Sequence, residues 1–167
     1  MRKIVPLSLI VLLAILVSNC EKDDICDANT ATTPKVVIDF YEDGNPSARK
    51  TFVKLEIALE DAPTKKMQFL NTNAIKLPLK TNADISKYNF VLYASTDANS
   101  TSNEDKLEFK YNHNEIYVSR ACGFKSVFNL TGTPVITDNT PLTWIKSIIV
   151  EKPNIINENE VHVKIYF

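Results

Sequence analysis

The chain has 167 residues, 44% of them apolar, and 19 Lys and Arg against 20 Asp and Glu give a net charge of −1. That balance excludes a disordered chain, a multi-span membrane protein and a nucleic-acid binder that works through net positive charge. Thirteen of the apolar residues fall within residues 1–19. Beyond them about 41% of the remaining 148 residues are apolar, and 17 bases face 20 acids for a net charge of −3. A single domain of roughly 130–150 residues follows, large enough for one hydrophobic core.

Arg2 and Lys3 form a basic start, and Leu7 to Val17 form an apolar run of eleven residues interrupted only by Ser8. A span across a bilayer needs about 20 apolar residues, so the segment reads as a cleaved secretion signal over residues 1–19. It ends Val17-Ser18-Asn19-Cys20, which resembles the lipobox of bacterial lipoproteins, with Asn19 standing where Gly, Ala or Ser is usual. The resemblance implies that Cys20 is acylated and becomes the mature N-terminus, anchoring the protein in outer-membrane lipid. Each buried methylene contributes ~0.8 kcal/mol, so one acyl chain is a marginal anchor whereas two or three hold almost permanently. The residues that follow, Cys20-Glu21-Lys22-Asp23-Asp24, resemble the export signal of Bacteroidota surface lipoproteins, in which Lys22, Asp23 and Asp24 would carry the address. Display outside the outer membrane is then expected, with a periplasm-facing anchor as the alternative.

With Cys20 acylated, Cys26 and Cys122 remain in a compartment where disulfides form. A bridge between them is the simplest expectation, and two free buried thiols are the alternative. No histidine lies near enough in sequence to suggest a two-cysteine metal site. Residues 20–34 read as a lipidated tether; its stretch from Cys20 to Pro34 could extend ~45 Å at ~3.3 Å per residue, and a bridge at Cys26 would shorten the free part to about 20 Å.

From residue 35 to 167 the apolar residues alternate with polar ones in short runs bounded by Asn, Asp, Thr and Pro. In chain order the runs are Val36/Ile38/Phe40, Val53/Leu55/Ile57/Leu59, Ile75/Leu77/Leu79, Tyr88/Phe90/Leu92, Leu107/Phe109/Tyr111, Ile116/Val118, Phe124/Phe128/Leu130, Trp144–Val150 and Val161/Val163/Ile165/Phe167. About nine strands are predicted, with turns at Glu42–Asn45 and Asn112–Asn114, and no stretch shows a persuasive helical period. The fold expected is all-β, an antiparallel immunoglobulin-like β-sandwich, with a small closed β-barrel as the alternative. The last run looks like the closing strand of a membrane barrel, but Lys and Glu occupy the outward positions of several strands and the strands are too short to span.

The segments CEKDDICDA, IKLPLK, NEDKLEFKY, YVSRACGFK and NENEVHVKIYF resemble an uncharacterised lipoprotein family of Bacteroidota, mostly flavobacterial, of unknown function. That resemblance implies lipidation and a single domain and supplies no activity, cofactor or catalytic residue.

The residues offer little for catalysis. A nucleophile needs a base, and the two histidines are His113, placed in a predicted turn, and His162, on the polar side of the last run and expected to be solvated. Asp97, Asn99, Thr101, Asn103, Asp105 and Glu108 follow a calcium-loop spacing, yet Ser102 stands where glycine is needed and the flanks read as strands, so a hairpin loop is expected in place of a metal site. Arg120 shares the inward parity of Ile116, Val118 and Cys122. It is expected to hold an ion pair or contact a ligand, unless a bulge at Ala121–Gly123 turns it outward. The whole is expected to be a monomeric, non-enzymatic binding or accessory module for a glycan or envelope protein, without cofactor, metal or nucleic acid. The alternative is a lipocalin-like carrier of a small apolar ligand, and an enzyme would need a cleft converging on His113 or His162.

Overall fold

The computed structural model describes residues 25–137 and 142–167, so the signal segment, Cys20, Lys22, Asp23 and Asp24 lie outside the described residues. Among the described residues there is no helix and there are twelve strands. They are β1 (Val36–Glu42), β2 (Asn45–Arg49), β3 (Phe52–Leu59), β4 (Ala62–Thr72), β5 (Ala74–Leu77), β6 (Ile85–Tyr93), β7 (Ser102–Ser119), β8 (Gly123–Leu130), β9 (Val135–Ile136), β10 (Ser147–Val150), β11 (Asn154–Ile155) and β12 (Val163–Tyr166). Contacts divide the chain into two compact units. Among the described residues, one comprises Ala31–Ile116 and those from Ser126 to Phe167; the other joins residues 25–30 with Tyr117–Lys125.

The larger unit holds the sandwich. Its five-stranded sheet runs β10-β12-β1-β2, with β5 also on β1, and its seven-stranded sheet runs β11-β8-β7-β6-β3-β4, with β9 on β7. Neither sheet closes on itself, so the sandwich forms and the barrel alternative does not. One pairing departs from the antiparallel expectation. β1 and β12 run parallel, with Ile38 opposite Val163 and Tyr41 opposite Tyr166. Alternation alone cannot distinguish the two directions, because side chains point to alternate faces in either.

The core is where the alternating residues meet. Val36, Ile38, Phe40, Ile75, Leu77, Val163 and Ile165 come from the smaller sheet, and Leu55, Ile57, Phe90, Leu107, Phe109 and Phe128 from the larger. Phe40 sits at an aromatic junction, edge-on to Phe52 at 5.1 Å and to Phe167 at 6.0 Å and stacked on Trp144 at 6.5 Å. Burying such side chains is worth roughly 1.5–3 kcal/mol each, which makes the alternating pattern the main cause of the fold.

Four local readings change. Asn45–Arg49 continues past the turn as strand β2, and Gly44 at φ 79° supplies the left-handed residue of that turn. Ala62–Thr72 alternates only at Met67 and Phe69, yet it pairs with β3 as the edge strand β4, where Pro63, Lys65 and Lys66 are exposed as edge residues should be. The predicted turn at Asn112–Asn114 is absent, because β7 runs unbroken from Ser102 to Ser119. Within β3 the inward side starts at Phe52, leaving Val53 exposed before Leu55 and Ile57 turn inward.

His162, on the polar side of the last run and expected to be solvated, is fully buried. Its Nδ1 accepts the Val37 N–H at 2.9 Å and its own N–H donates to the Val37 carbonyl at 3.0 Å, so it extends the parallel pairing just before β12 begins. Burial pushes its imidazole below the ordinary histidine range, against the pull of Glu160 and Glu158. The ring is a neutral ladder partner, not a solvated side chain.

Candidate functional site

Two places on the described surface combine exposed or half-exposed aromatic groups with polar ones, one in each unit. In the sandwich, an open groove of about 550 Å³ is lined by Thr51 and Val53 at the start of β3, Tyr93 at the end of β6, Asn103 on β7, and Trp144 and Phe167 beside β10 and β12. Local bonds fix its walls. Asn103 Nδ2 donates to the Leu142 carbonyl at 2.7 Å and Asp105 Oδ2 accepts the Ile145 N–H at 2.7 Å, which seats the segment carrying Trp144. The Trp144 indole donates to the Phe90 carbonyl at 3.3 Å, and Lys50 Nζ donates to the Phe167 carbonyl at 2.7 Å while lying 4.3 Å from that ring's centre.

Tyr93 is held by a charged cluster behind the groove. Lys54 Nζ lies 4.0 Å from the ring centre, and the Tyr93 hydroxyl donates to Glu56 Oε2 at 3.0 Å. Glu56 also pairs with Lys54 at 3.0 Å and Lys66 at 3.1 Å, and the Lys54 hydrogen bond is the main reason its carboxyl is pulled down to about 2. Burial and the Glu56 bond push the Tyr93 phenol up. At neutral pH both groups therefore stay in one protonation state, ionised carboxylate and protonated phenol. The cluster positions an aromatic ring and provides no acid or base poised for proton transfer.

The hairpin loop between β6 and β7 is closed by Ala94 N–H to the Thr101 carbonyl and Ser95 N–H to Ser100 Oγ, and Asp97 caps its turn through Ser95. The calcium-spaced residues do not converge there. Asp105 is buried on one face of β7 and Glu108 points to the other, where it pairs with Lys87 and Lys110 at 3.2 Å each. No group of three or more metal-ligating side chains gathers among the described residues. His113 lies within β7 and its Nδ1 bonds Asp84 Oδ1 at 3.0 Å, well separated in sequence from the buried His162.

The smaller unit contains the second place. Cys26 and Cys122 form the expected disulfide, with Cα atoms 4.9 Å apart across 96 residues. The chain turns at Arg120–Cys122, where the Cys122 N–H donates to Ser119 Oγ at 3.0 Å and Gly123 adopts φ 68°. That turn corrects the inward reading of Arg120. The buried alternation of β7 ends at Tyr111, well before this turn, so Arg120 is exposed and makes no ion pair among the described residues. It lines a shallow pocket of about 430 Å³ with Ile25, Asp27, Thr30, Tyr117 and the disulfide's Cys122. Phe124, expected to face inward with Phe128, is 64% exposed and meets the 59%-exposed ring of Tyr117 edge-on at 5.4 Å. Ile25 beside the disulfide is 81% exposed. The sequence hides this cluster because its apolar residues continue a strand pattern whose core ends before they begin.

Residues 57–167 match a family of unknown function, DUF6452, and the chain belongs to that family. The matched stretch runs from within β3 through β12. No curated protein and no solved structure matches the chain.

Proposed function

We propose that the protein is an exported lipoprotein, acylated at Cys20 and displayed on the outer-membrane surface, whose sandwich serves as a non-enzymatic binding or accessory module for a glycan or an envelope protein. The observation that carries this reading is the disulfide between Cys26 and Cys122, which belongs to an oxidising compartment outside the cytoplasm. It supports the apolar leader and the Cys20 pattern as an export route, and Lys22, Asp23 and Asp24 as the surface address. The groove bounded by Tyr93, Trp144 and Phe167 is a ligand-sized concavity on the sandwich, and its aromatic and amide lining suits a sugar ring or a peptide. The lipocalin-like carrier loses its support, because its enclosing barrel is replaced by two open sheets.

Protease shaving of intact cells, combined with mass analysis of the N-terminal peptide, tests the anchor and the display together. The expected result is an acylated peptide beginning at Cys20 and loss of the protein on shaving. An unmodified N-terminus removes the anchor, and protection from protease moves the protein to the periplasmic face. Tyr93→Ala, tested against arrays of cell-envelope glycans, locates the ligand: binding that survives the substitution is not in the groove.

A further inference from the structure

The tip of the β7–β8 hairpin presents Tyr117 and Phe124, more than half exposed and packed ring against ring, with Ile25 exposed next to the Cys26–Cys122 bridge and Arg120 at the turn. Isolated exposed apolar residues are ordinary, but a cluster of two aromatics and an isoleucine around an exposed arginine, all in one small unit, is a contact surface. We propose that this tip is a lipid-facing element that lies in the membrane interface, with the aromatic rings and Ile25 at the boundary between headgroups and acyl chains and Arg120 on lipid phosphate. The inference rests on the acylation of Cys20 proposed above.

The occupant is fixed by chain length. Cys26 lies six residue steps beyond Cys20, and a fully extended run of that length reaches about 20 Å at ~3.3 Å per residue. The bridge ties Cys26 to Cys122 in the hairpin turn, with the Cα atoms 4.9 Å apart. A tip held within that radius of acyl chains meets the bilayer surface at high effective concentration, whereas a protein partner would have to compete for it. Its composition suits that surface. Amphipathic aromatic rings favour the interface, arginine keeps its charge at the phosphates while its stem stays among apolar groups, and Lys125 adds a second cation beside Phe124. Asp27, the acid of the pocket, is turned to its own backbone: its Oδ1 accepts the Asn29 N–H at 2.8 Å, and its carbonyl accepts the Thr30 N–H at 2.9 Å. Arg120 and Lys125 outnumber that one acid, so the described residues of this unit carry a net positive charge of one toward phosphate. A two-point hold follows, acyl chains at Cys20 and an interfacial tip at residues 117–125, in which the second point limits the swing of the tether.

The test uses the acylated full-length mature protein, reconstituted in vesicles of phosphatidylethanolamine and phosphatidylglycerol that contain a phospholipid with a photoactivatable acyl chain. After illumination, peptides are mapped by mass spectrometry for lipid adducts. Adducts are expected on the peptide carrying Tyr117–Lys125 and are expected to be lost in Tyr117→Ser/Phe124→Ser, whose melting transition should match the wild type because both rings are exposed. Arg120→Glu should weaken the adducts in anionic vesicles and leave them unchanged in vesicles of phosphatidylcholine alone. An N-terminal peptide without acyl groups overturns the anchor reading and this inference with it. An acylated N-terminus with no adduct on the tip overturns the inference alone, as do crosslinks joining the tips of two copies in place of lipid.

Discussion

The two compact units are held by different forces. The sandwich rests on a broad apolar core in which Phe40, Leu55, Ile57, Phe90, Leu107, Phe109 and Ile165 are wholly excluded from water, whereas the hairpin tip with residues 25–30 has a single covalent crosslink and leaves its largest apolar side chains in solvent. Where packing dictates the residue, side chains report on stability. Where a crosslink does the holding, the neighbouring side chains are released from that duty, and their chemistry is free to face something else. The exposed Tyr117 and Phe124 are read in that light.

Breaking the packed side should have the largest effect. Phe90→Ala removes a fully buried ring that sits edge-on to Tyr88 at 6.5 Å, and should cost ~3–5 kcal/mol in chemical denaturation, with one cooperative transition shifted as a whole. The covalent side is broken by Cys26→Ser with Cys122→Ser. Chain entropy for a loop spanning 96 residues sets an upper figure of ~4–5 kcal/mol, and about 2–4 kcal/mol is expected. The distinguishing readout is limited proteolysis: new cuts should appear between Cys26 and Thr30 at temperatures where the sandwich still resists. A shift of the whole transition without those cuts would mean that the crosslink supports the sandwich itself.

A third substitution sharpens the packed side, because β1 carries a charge into the interior. Asp39 is 2% exposed and pairs with Arg49 of β2. Burial holds its carboxyl above the ordinary value despite the arginine, so the native state binds a proton more readily than the unfolded chain, and this group's contribution falls as pH rises past 3.8. Arg49→Ala should therefore cost ~2–3 kcal/mol at neutral pH, less than a wholly buried pair because the arginine is half exposed, and Asp39→Asn added to it should recover most of the loss in the same denaturation assay.

The smallest expected effect is the pH response of His162. Its pKa is lowered by burial, so as pH falls through 6.5 the unfolded chain takes up a proton before the native one does, and the sandwich loses stability. His162→Asn keeps an acceptor for the Val37 N–H and should flatten that slope between neutral and mildly acidic pH in thermal melts. An unchanged slope would place the responsible group elsewhere.

Much of the sandwich was legible because period-two alternation is the direct imprint of one buried face, as in Leu107, Phe109 and Tyr111, all of which point inward. The same rule misled wherever burial and parity part company. β4 alternates only at Met67 and Phe69, because an edge strand is held by backbone ladder bonds to β3 and buries little. His162 sits on the polar parity and is still buried, because it pairs with β1 at a point covered from both sides. Phe124 shares the parity of the buried Phe128 and Leu130, and Arg120 that of Ile116, but both lie beyond the end of the core, whose last buried residue on β7 is Tyr111, on the opposite parity to Arg120. The Cys26–Cys122 pairing was readable by counting; the exposed aromatic pair beside it was not, since parity records orientation and says nothing of whether a second layer exists to cover it.

The parallel ladder between β1 and β12 has a consequence for the order in which the molecule can be made. Val37 and His162, bonded to each other in both directions, stand 125 residues apart, and the strand at the centre of the smaller sheet has its partner near the other end of the domain. A ribosome delivers residue 36 long before residue 163, so β1 waits with one flank unpaired through nearly all of synthesis. Without β12, the edge of β1 that pairs Ile38 with Val163 and Tyr41 with Tyr166 has no ladder partner. For a protein proposed to pass through a membrane as an unfolded thread, that delay keeps the smaller sheet incomplete until β12 has crossed.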